Sequence, residues 1–288
     1  MIIKNKYNVT KLKETTSEVV LITKCHLKVD IISWVDHYLN WCGFDHVTII
    51  DNESLCGSLH DLFENNDKVT VIDMYDKDKP NFFQQTLYNK FIRENKKYTY
   101  QFFCDDDEYL WFDKTKYNTI NNYLSNLNNR NIYAFAIPMV NISYKSDNVP
   151  MERTKAMIND CFYVNENYNT SYQTYTYKSF IHLNLAKLHP HVCFGIPHFI
   201  ANYFTLLPDN RFVTPQVFGD YFVNTNPSEL DIKLFHYHHR SYKEWENKMN
   251  RNRIDMPINT TYKSSPTQGI TEYPKNYYTY YLNPFNLS

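Results

Sequence analysis

Four consecutive acids, Asp105, Asp106, Asp107 and Glu108, follow directly on an apolar run, YTYQFFC, from Tyr98 to Cys104. Neighbouring carboxylates repel one another and are costly to hold together unless a cation lies between them, so an acid cluster at a strand end suggests a hard-metal site. Strand periodicity carried through the run puts Asp105 and Asp107 on one side and Asp106 and Glu108 on the other. Other groups able to do chemistry are more scattered. Lys24 follows the first apolar run, Asp51 closes the second, and HYHHRS at 236–241 concentrates imidazole and guanidinium groups. A lone D-x-D is short and arises readily by composition, the ordinary alternative being a solvated turn, so its weight depends on where the elements place it.

Those elements read as alternating strands and helices. Glu18 to Thr23 (EVVLIT) suits an inner parallel strand. A helical pattern runs from Asp30, a candidate N-cap, to Gly43, a candidate C-cap, with Ile31, Trp34, Val35, Tyr38 and Leu39 on one stripe. His46 to Asp51 is the next strand, which completes a βαβ unit whose crossover should be right-handed. Leu59 to Glu64 reads as a short helix, Lys68 to Asp73 as a strand, Asn81 to Lys97 as a longer helix, and Tyr98 to Phe103 as the fourth strand. Strands that each end in polar or acidic residues build a half-Rossmann sheet whose carboxyl edge carries Lys24, Asp51 and Asp105 to Asp107. Further on, Tyr117 to Leu127 reads as a helix and Ile132 to Met139 as an inner strand. Tyr172 to His182 could be one strand of a hairpin, and Glu229 to Tyr237 reads as the last strand. Ser241 to Arg253 is a helix with a capping box of Ser241 and Glu244. Asn141 to Asn169 is polar and aperiodic, the character of loops. The expected organisation is one α/β domain over 1–255 with an irregular tail over 256–288 packed on it.

Composition narrows the functions. With 43% hydrophobic and 17% aromatic residues among 288, the chain can bury a sizeable core. A net charge of -1 supplies no basic field for nucleic acid or an anionic membrane. No apolar run approaches the roughly 18 residues of a membrane span, and the N-terminus lacks the apolar core of a signal peptide, so a soluble, cytoplasmic protein is expected. Six scattered cysteines without a C-x-x-C pair argue for reduced thiols rather than a zinc ribbon or disulfide frame. Only 5 glycines leave no Gly-rich phosphate loop, so a bound phosphate would need metal and side chains.

Five segments taken together resemble the glycosyltransferases of the GT-A fold, and more narrowly the family 92 type within the family 2 clan. They are WVDHYLNWCGFDHVTIIDNES (Trp34 to Ser54), FFCDDDEYLWF (Phe102 to Phe112), PMERT (Pro150 to Thr154), YKSFI (Tyr177 to Ile181) and FHYHHRSYKEWENKMNR (Phe235 to Arg251). The first, second and last are specific in combination. Where that family has K-N-E after the first strand, this chain has Lys24, Cys25 and His26. The resemblance implies a Rossmann-like mixed sheet flanked by helices. It also implies a metal-dependent, inverting transfer of a hexosyl group from a nucleotide sugar, UDP-linked in the first instance, to a glycan or glycoconjugate hydroxyl.

On that resemblance, Mn²⁺ or Mg²⁺ would be held by Asp105, Asp107 and His236. Lys24, Asp51, Gln85, Asp105 and Asp106 would meet the nucleotide sugar, with Lys178 and Arg240 offsetting diphosphate charge. Glu152 is the leading candidate for the base that deprotonates the acceptor, with Asp147, Asp160, Asp209 and Asp220 as alternatives. Trp34, Trp111 and Trp245 read as core, and Glu152 beside Arg153 also reads as a surface pair. His189, His191 and His198 with His236 could ligate zinc, but the spacing of HPH suits no helical ligand pair. Two other functions stay open: a non-catalytic sugar-binding or scaffolding protein that keeps the fold, and metal-dependent phosphodiester hydrolysis.

Overall fold

The computed structural model describes the backbone of residues 14–74, 83–94, 97–128, 132, 134–143, 151–153, 155–160, 163–165, 177–184, 193–196, 199–201, 205–206, 212–213, 230–239, 241, 243–244 and 278–280. In chain order these form β1 (Ser17–Thr23), α1 (Lys28–Asp36), a π-helical segment (His37–Cys42), β2 (His46–Asp51), α2 (Leu59–Phe63), β3 (Val69–Asp73), α3 (Phe83–Glu94), β4 (Tyr100–Cys104) and β5 (Glu108–Phe112). They continue as α4 (Ile120–Asn128), β6 (Ala134–Ser143), α5 (Met157–Asp160), β7 (Tyr163–Asn165), β8 (Tyr177–His182), β9 (Cys193–Ile196), β10 (Phe199–Ala201), β11 (Thr205–Leu206), β12 (Phe212–Val213), β13 (Ile232–His239) and β14 (Tyr278–Tyr280).

The main sheet runs β12-β11-β6-β8-β4-β1-β2-β3. β4, β1, β2 and β3 are mutually parallel, while β8 lies antiparallel to both β4 and β6. β13 runs parallel to β6 and antiparallel to β5, and so branches the sheet at β6. This is an α/β architecture, a mixed sheet with a Rossmann-like parallel half, flanked by helices. Strand alternation divides the core. Val19, Leu21, Val47, Ile49, Phe102 and Phe180 pack with α1 and α4 on one face, while Val20, Ile22, Ile50, Phe103 and Ile181 pack with Tyr88 and Ile92 of α3 on the other. In the tail, β14 pairs antiparallel with β7, so 278–280 adds a strand to the body. Among the described residues no helix is long and apolar enough to cross a membrane.

The first helix differs from its sequence reading in two ways. It begins at Lys28 with Leu27 at the N-cap, so Asp30 sits inside the first turn rather than capping it. It then widens into the π segment before Gly43 ends it at φ 76, a left-handed conformation that glycine adopts without steric penalty. Asp30 is instead drawn into a buried ion-pair network, which removes it from capping. Arg153 Nη1 donates to Asp30 Oδ1 at 2.9 Å and Nη2 to Asp30 Oδ2, while Nε reaches Glu244 Oε2 at 2.7 Å and Nη2 reaches Glu244 Oε1 at 2.6 Å. Ser241 caps the same corner, its hydroxyl accepting the Glu244 amide at 3.2 Å. Arg153 is therefore no member of a surface pair. Its side chain is 0% exposed, and it ties the start of α1 to the segment that follows β13.

Removing one member of a buried pair leaves the others charged and unpaired, which costs about 3–5 kcal/mol. Arg153→Met should lower the urea midpoint by a corresponding amount. Arg153→Lys should recover only part of it, because an ammonium cannot reproduce the two-sided fork.

Candidate functional site

Three strand ends meet at one edge of the sheet. Thr23 lies opposite Asp51 and Leu21 opposite Cys104 in register, so the segments after β1, β2 and β4 leave the sheet side by side, where open α/β sheets gather ligands. At this edge β4 reverses at once. The Glu108 amide donates back to the Asp105 carbonyl at 3.2 Å, and Glu108 Oε2 accepts the Asp105 amide at 2.8 Å. This tight turn overturns the strand-parity reading. The acids do not alternate between two faces, because the chain has left the extended conformation by Asp106.

The four acids divide among three partners, which spreads their like charges over separate contacts. Asp106 Oδ2 accepts the Thr23 hydroxyl at 2.7 Å. Asp105 Oδ2 accepts from Lys178 Nζ at 2.9 Å, and the same ammonium lies 3.1 Å from Glu108 Oε2. Asp107 Oδ1 is 3.6 Å from His236 Nε2. Strand direction delivers the two distant partners. Because β8 is antiparallel to β4, its first residues, Lys178 among them, arrive at the carboxyl edge. On β13, His236 stands directly opposite Glu108, and the Tyr237 amide donates to the Asp107 carbonyl at 2.8 Å.

Lys178 and Glu108 are each 1% exposed. Burial disfavours the ammonium, but Asp105 and Glu108 outweigh it and Lys178 is pushed up to about 12. Burial pushes the Glu108 carboxyl up to about 7, with Lys178 opposing and the charge of Asp105 adding to the rise. Asp107, Glu108 and His236 each offer one ligand atom, and these atoms lie within 4.8 Å of one another. Two carboxylates and one imidazole form an oxygen-rich donor set that suits Mn²⁺ or Mg²⁺.

The structure brings together Asp105, Asp106, Asp107, Lys178 and His236, all named from the sequence, and sets the half-buried Lys24 and Asp51 on the same edge. Asp51 Oδ1 accepts the Ser54 amide at 2.8 Å, closing the loop after β2. Asp51 also borders a cleft of about 290 Å³ with Glu53, Asp73 and Met74. Asp105 stands against Lys178, so the gathered ligand set contains Glu108 in its place. Glu152 is exposed, and among the described residues no hydrogen bond joins it to the acidic turn. Arg240 and the histidines at 189, 191 and 198 lie outside the described residues, as do Asp147, Asp209 and Asp220. Gln85 and Asp160 lie on α3 and α5, but their side chains are likewise outside.

Sequence reasoning missed Thr23 as a partner of Asp106, and it missed β5. The short apolar and aromatic run YLWF immediately after the acids was the available signal for that strand.

No protein-family model matches the chain, and no curated protein matches it. Among solved structures it is similar to S. aureus TarS 1–349 at a TM-score of 0.34 and 13% identity, over 60% of this chain and 48% of that one. It is similar to HddC from Yersinia pseudotuberculosis at 0.32 and 10%, over 78% and 90%. A Bacillus anthracis protein described as a glucose-1-phosphate thymidylyltransferase, solved with a sucrose, aligns at 0.27 and 13%, over 49% and 61%. The chain thus spans about half the length of the first and less than two thirds of the third. Likeness of this degree carries no functional argument, which must come from the site.

Glu108 holds its proton more tightly in the folded, metal-free protein than when unfolded. The stability it contributes is full below the unfolded value near 4.5 and is lost as pH rises to about 7. Glu108→Gln should flatten the urea-unfolding profile across that window. Lys178→Met removes the cation that holds Glu108 down, and should extend the decline above pH 7.

Proposed function

We propose that this chain is a metal-dependent glycosyltransferase that moves a sugar from a nucleotide-sugar donor, with UDP-linked donors first in line, to a hydroxyl of a glycan or glycoconjugate. The observation that carries this reading is the convergence of Asp107, Glu108 and His236 within 4.8 Å at a sheet edge that also presents Asp51 and Lys24. The buried, proton-retaining Glu108 is an acid that a cation would stabilise in its charged form, so the residues fit Mn²⁺ or Mg²⁺. When bound, such an ion supplies Lewis-acid stabilisation of a departing nucleoside diphosphate.

The protein's own groups divide the remaining work. Asp107 and His236 hold the ion, with Glu108 beside them. Asp105 keeps 32% of its side chain exposed although paired with Lys178, and so faces ribose. Asp51 takes ribose or base. Lys178, neutralising Asp105 and Glu108, lowers the negative charge that an incoming diphosphate would meet. Glu152, exposed on the segment beside Arg153, serves as the base that accepts the acceptor hydroxyl's proton, in keeping with inversion at the anomeric carbon.

The deciding experiment incubates the protein with Mn²⁺ and a panel of nucleotide sugars and follows nucleoside diphosphate. Release of pyrophosphate from a nucleoside triphosphate and a sugar 1-phosphate would instead mark a nucleotidyltransferase. Donor binding without turnover across acceptors would mark a sugar-binding protein.

Asp107→Ala should abolish Mn²⁺-dependent donor binding in calorimetry while the protein stays folded, and His236→Ala should raise the Mn²⁺ concentration needed for activity. Unchanged Mn²⁺-dependent affinity in folded Asp107→Ala protein rejects the metal assignment.

Glu152→Gln keeps the size of the side chain but cannot take up a proton, so turnover should fall by about two to four orders of magnitude with donor affinity nearly constant. Near-normal transfer in this variant moves the base elsewhere.

A further inference from the structure

Among the described residues β5 has a ladder partner on one side, β13. Its Asp107 end is bonded to β13, and the carbonyls that turn the other way need donors from elsewhere. Three side chains on consecutive turns of the first helix supply them. The Trp34 indole N–H is shared between the carbonyl oxygens of Asp105 at 3.2 Å and Glu108 at 3.1 Å. The Tyr38 hydroxyl donates to the Glu108 carbonyl at 3.1 Å, accepts the Leu110 amide at 3.3 Å, and accepts from the Cys104 thiol at 3.4 Å. His37 Nε2 meets the Leu110 carbonyl at 2.8 Å, and burial pushes its imidazole down to about 3, so the neutral ring donates there. Trp34 and Tyr38 are both 0% exposed with ring centroids 4.4 Å apart. They straddle the junction where α1 widens into the π segment, a distortion that often accompanies functional sites.

These contacts bear on the acidic turn in particular. The Asp105 and Glu108 carbonyls are held from the helix side, and the Asp107 carbonyl is held from β13 by the residue next to His236. The backbone is therefore fixed on both sides of Asp107, and its carboxylate and that of Glu108 have their origins set relative to His236. We propose that Trp34 and Tyr38 are positioning residues for the metal-binding carboxylates, holding from the helix side the backbone groups of the acidic turn and β5 that face away from β13. This rests on the metal reading given above. Groups that orient metal ligands from behind typically contribute about 10–100-fold to metal affinity.

The test uses the full chain with Mn²⁺ alone as the probe. Trp34→Phe deletes the indole N–H, and Tyr38→Phe deletes a single oxygen while keeping the ring. Both should bind Mn²⁺ about 10–100-fold more weakly by calorimetry, yet reach the wild-type stoichiometry at high Mn²⁺. Amide exchange should quicken at Glu108 and Leu110 and stay at the wild-type rate in β1 and β2, a pattern that general loss of stability would not give. If Trp34→Phe does not fold, Tyr38→Phe carries the test by itself. Wild-type Mn²⁺ affinity in the folded Phe variants, with Asp107→Ala unable to bind, overturns the positioning role and leaves the metal site standing. Failure of the wild-type protein to bind Mn²⁺ overturns both.

Discussion

The ammonium of Lys178 is the charge on which the candidate site depends. Burying it costs several kcal/mol of lost hydration, and that cost is offset only because Asp105 and Glu108 are both within about hydrogen-bonding distance of it. The dependence is mutual. Asp105 and Glu108 belong to a run of four acids in a turn tight enough for the first amide to bond the last carboxylate, and without a cation between them the turn would be under strong repulsion. An antiparallel strand is what makes this pairing possible. Had β8 run parallel to β4, Lys178 would have emerged at the opposite edge of the sheet.

The other supports follow the same logic of elements meeting from far along the chain. Thr23 at the end of β1 takes Asp106, and His236 on β13 faces Asp107 and Glu108. On the helix side, Trp34, His37 and Tyr38 satisfy backbone groups of β5 that face away from its partner β13. Arg153 then locks the start of that helix to the segment just after β13, so the elements flanking the acidic turn are joined at a second point away from it. Both joints are buried and polar, which makes them costly to break one partner at a time. The site is thus a product of the whole sheet rather than of any local motif.

Much of this was legible in the sequence. Runs such as EVVLIT and HVTIID, with the helical stripe between them, announce a βαβ unit, because a strand buried on both faces must be apolar throughout and a surface helix must not be. Gly43 as the helix end, the strand-end acids, and the chemical suitability of Asp107 and His236 were all readable from residue type. What misled was local reasoning applied past its range. Strand parity gave a wrong partition of the acids because the turn begins at the second of them, and Asp30 read as a cap because its attraction to Arg153 lies 123 residues away in the chain.

The alternation of strands and helices through the first hundred residues, the apolar faces and the concentration of acids at a strand end were therefore determined by the sequence alone, since each depends on neighbours within one or two turns. Which acid pairs with which partner was decided only by the tertiary structure. That choice depends on the direction of β8, the register of His236 against Glu108, and the side of β5 left open to the helix. These are relations between segments far apart in the chain, and electrostatic and hydrogen-bond energies at distances near 3 Å are too steep for residue type to predict without them.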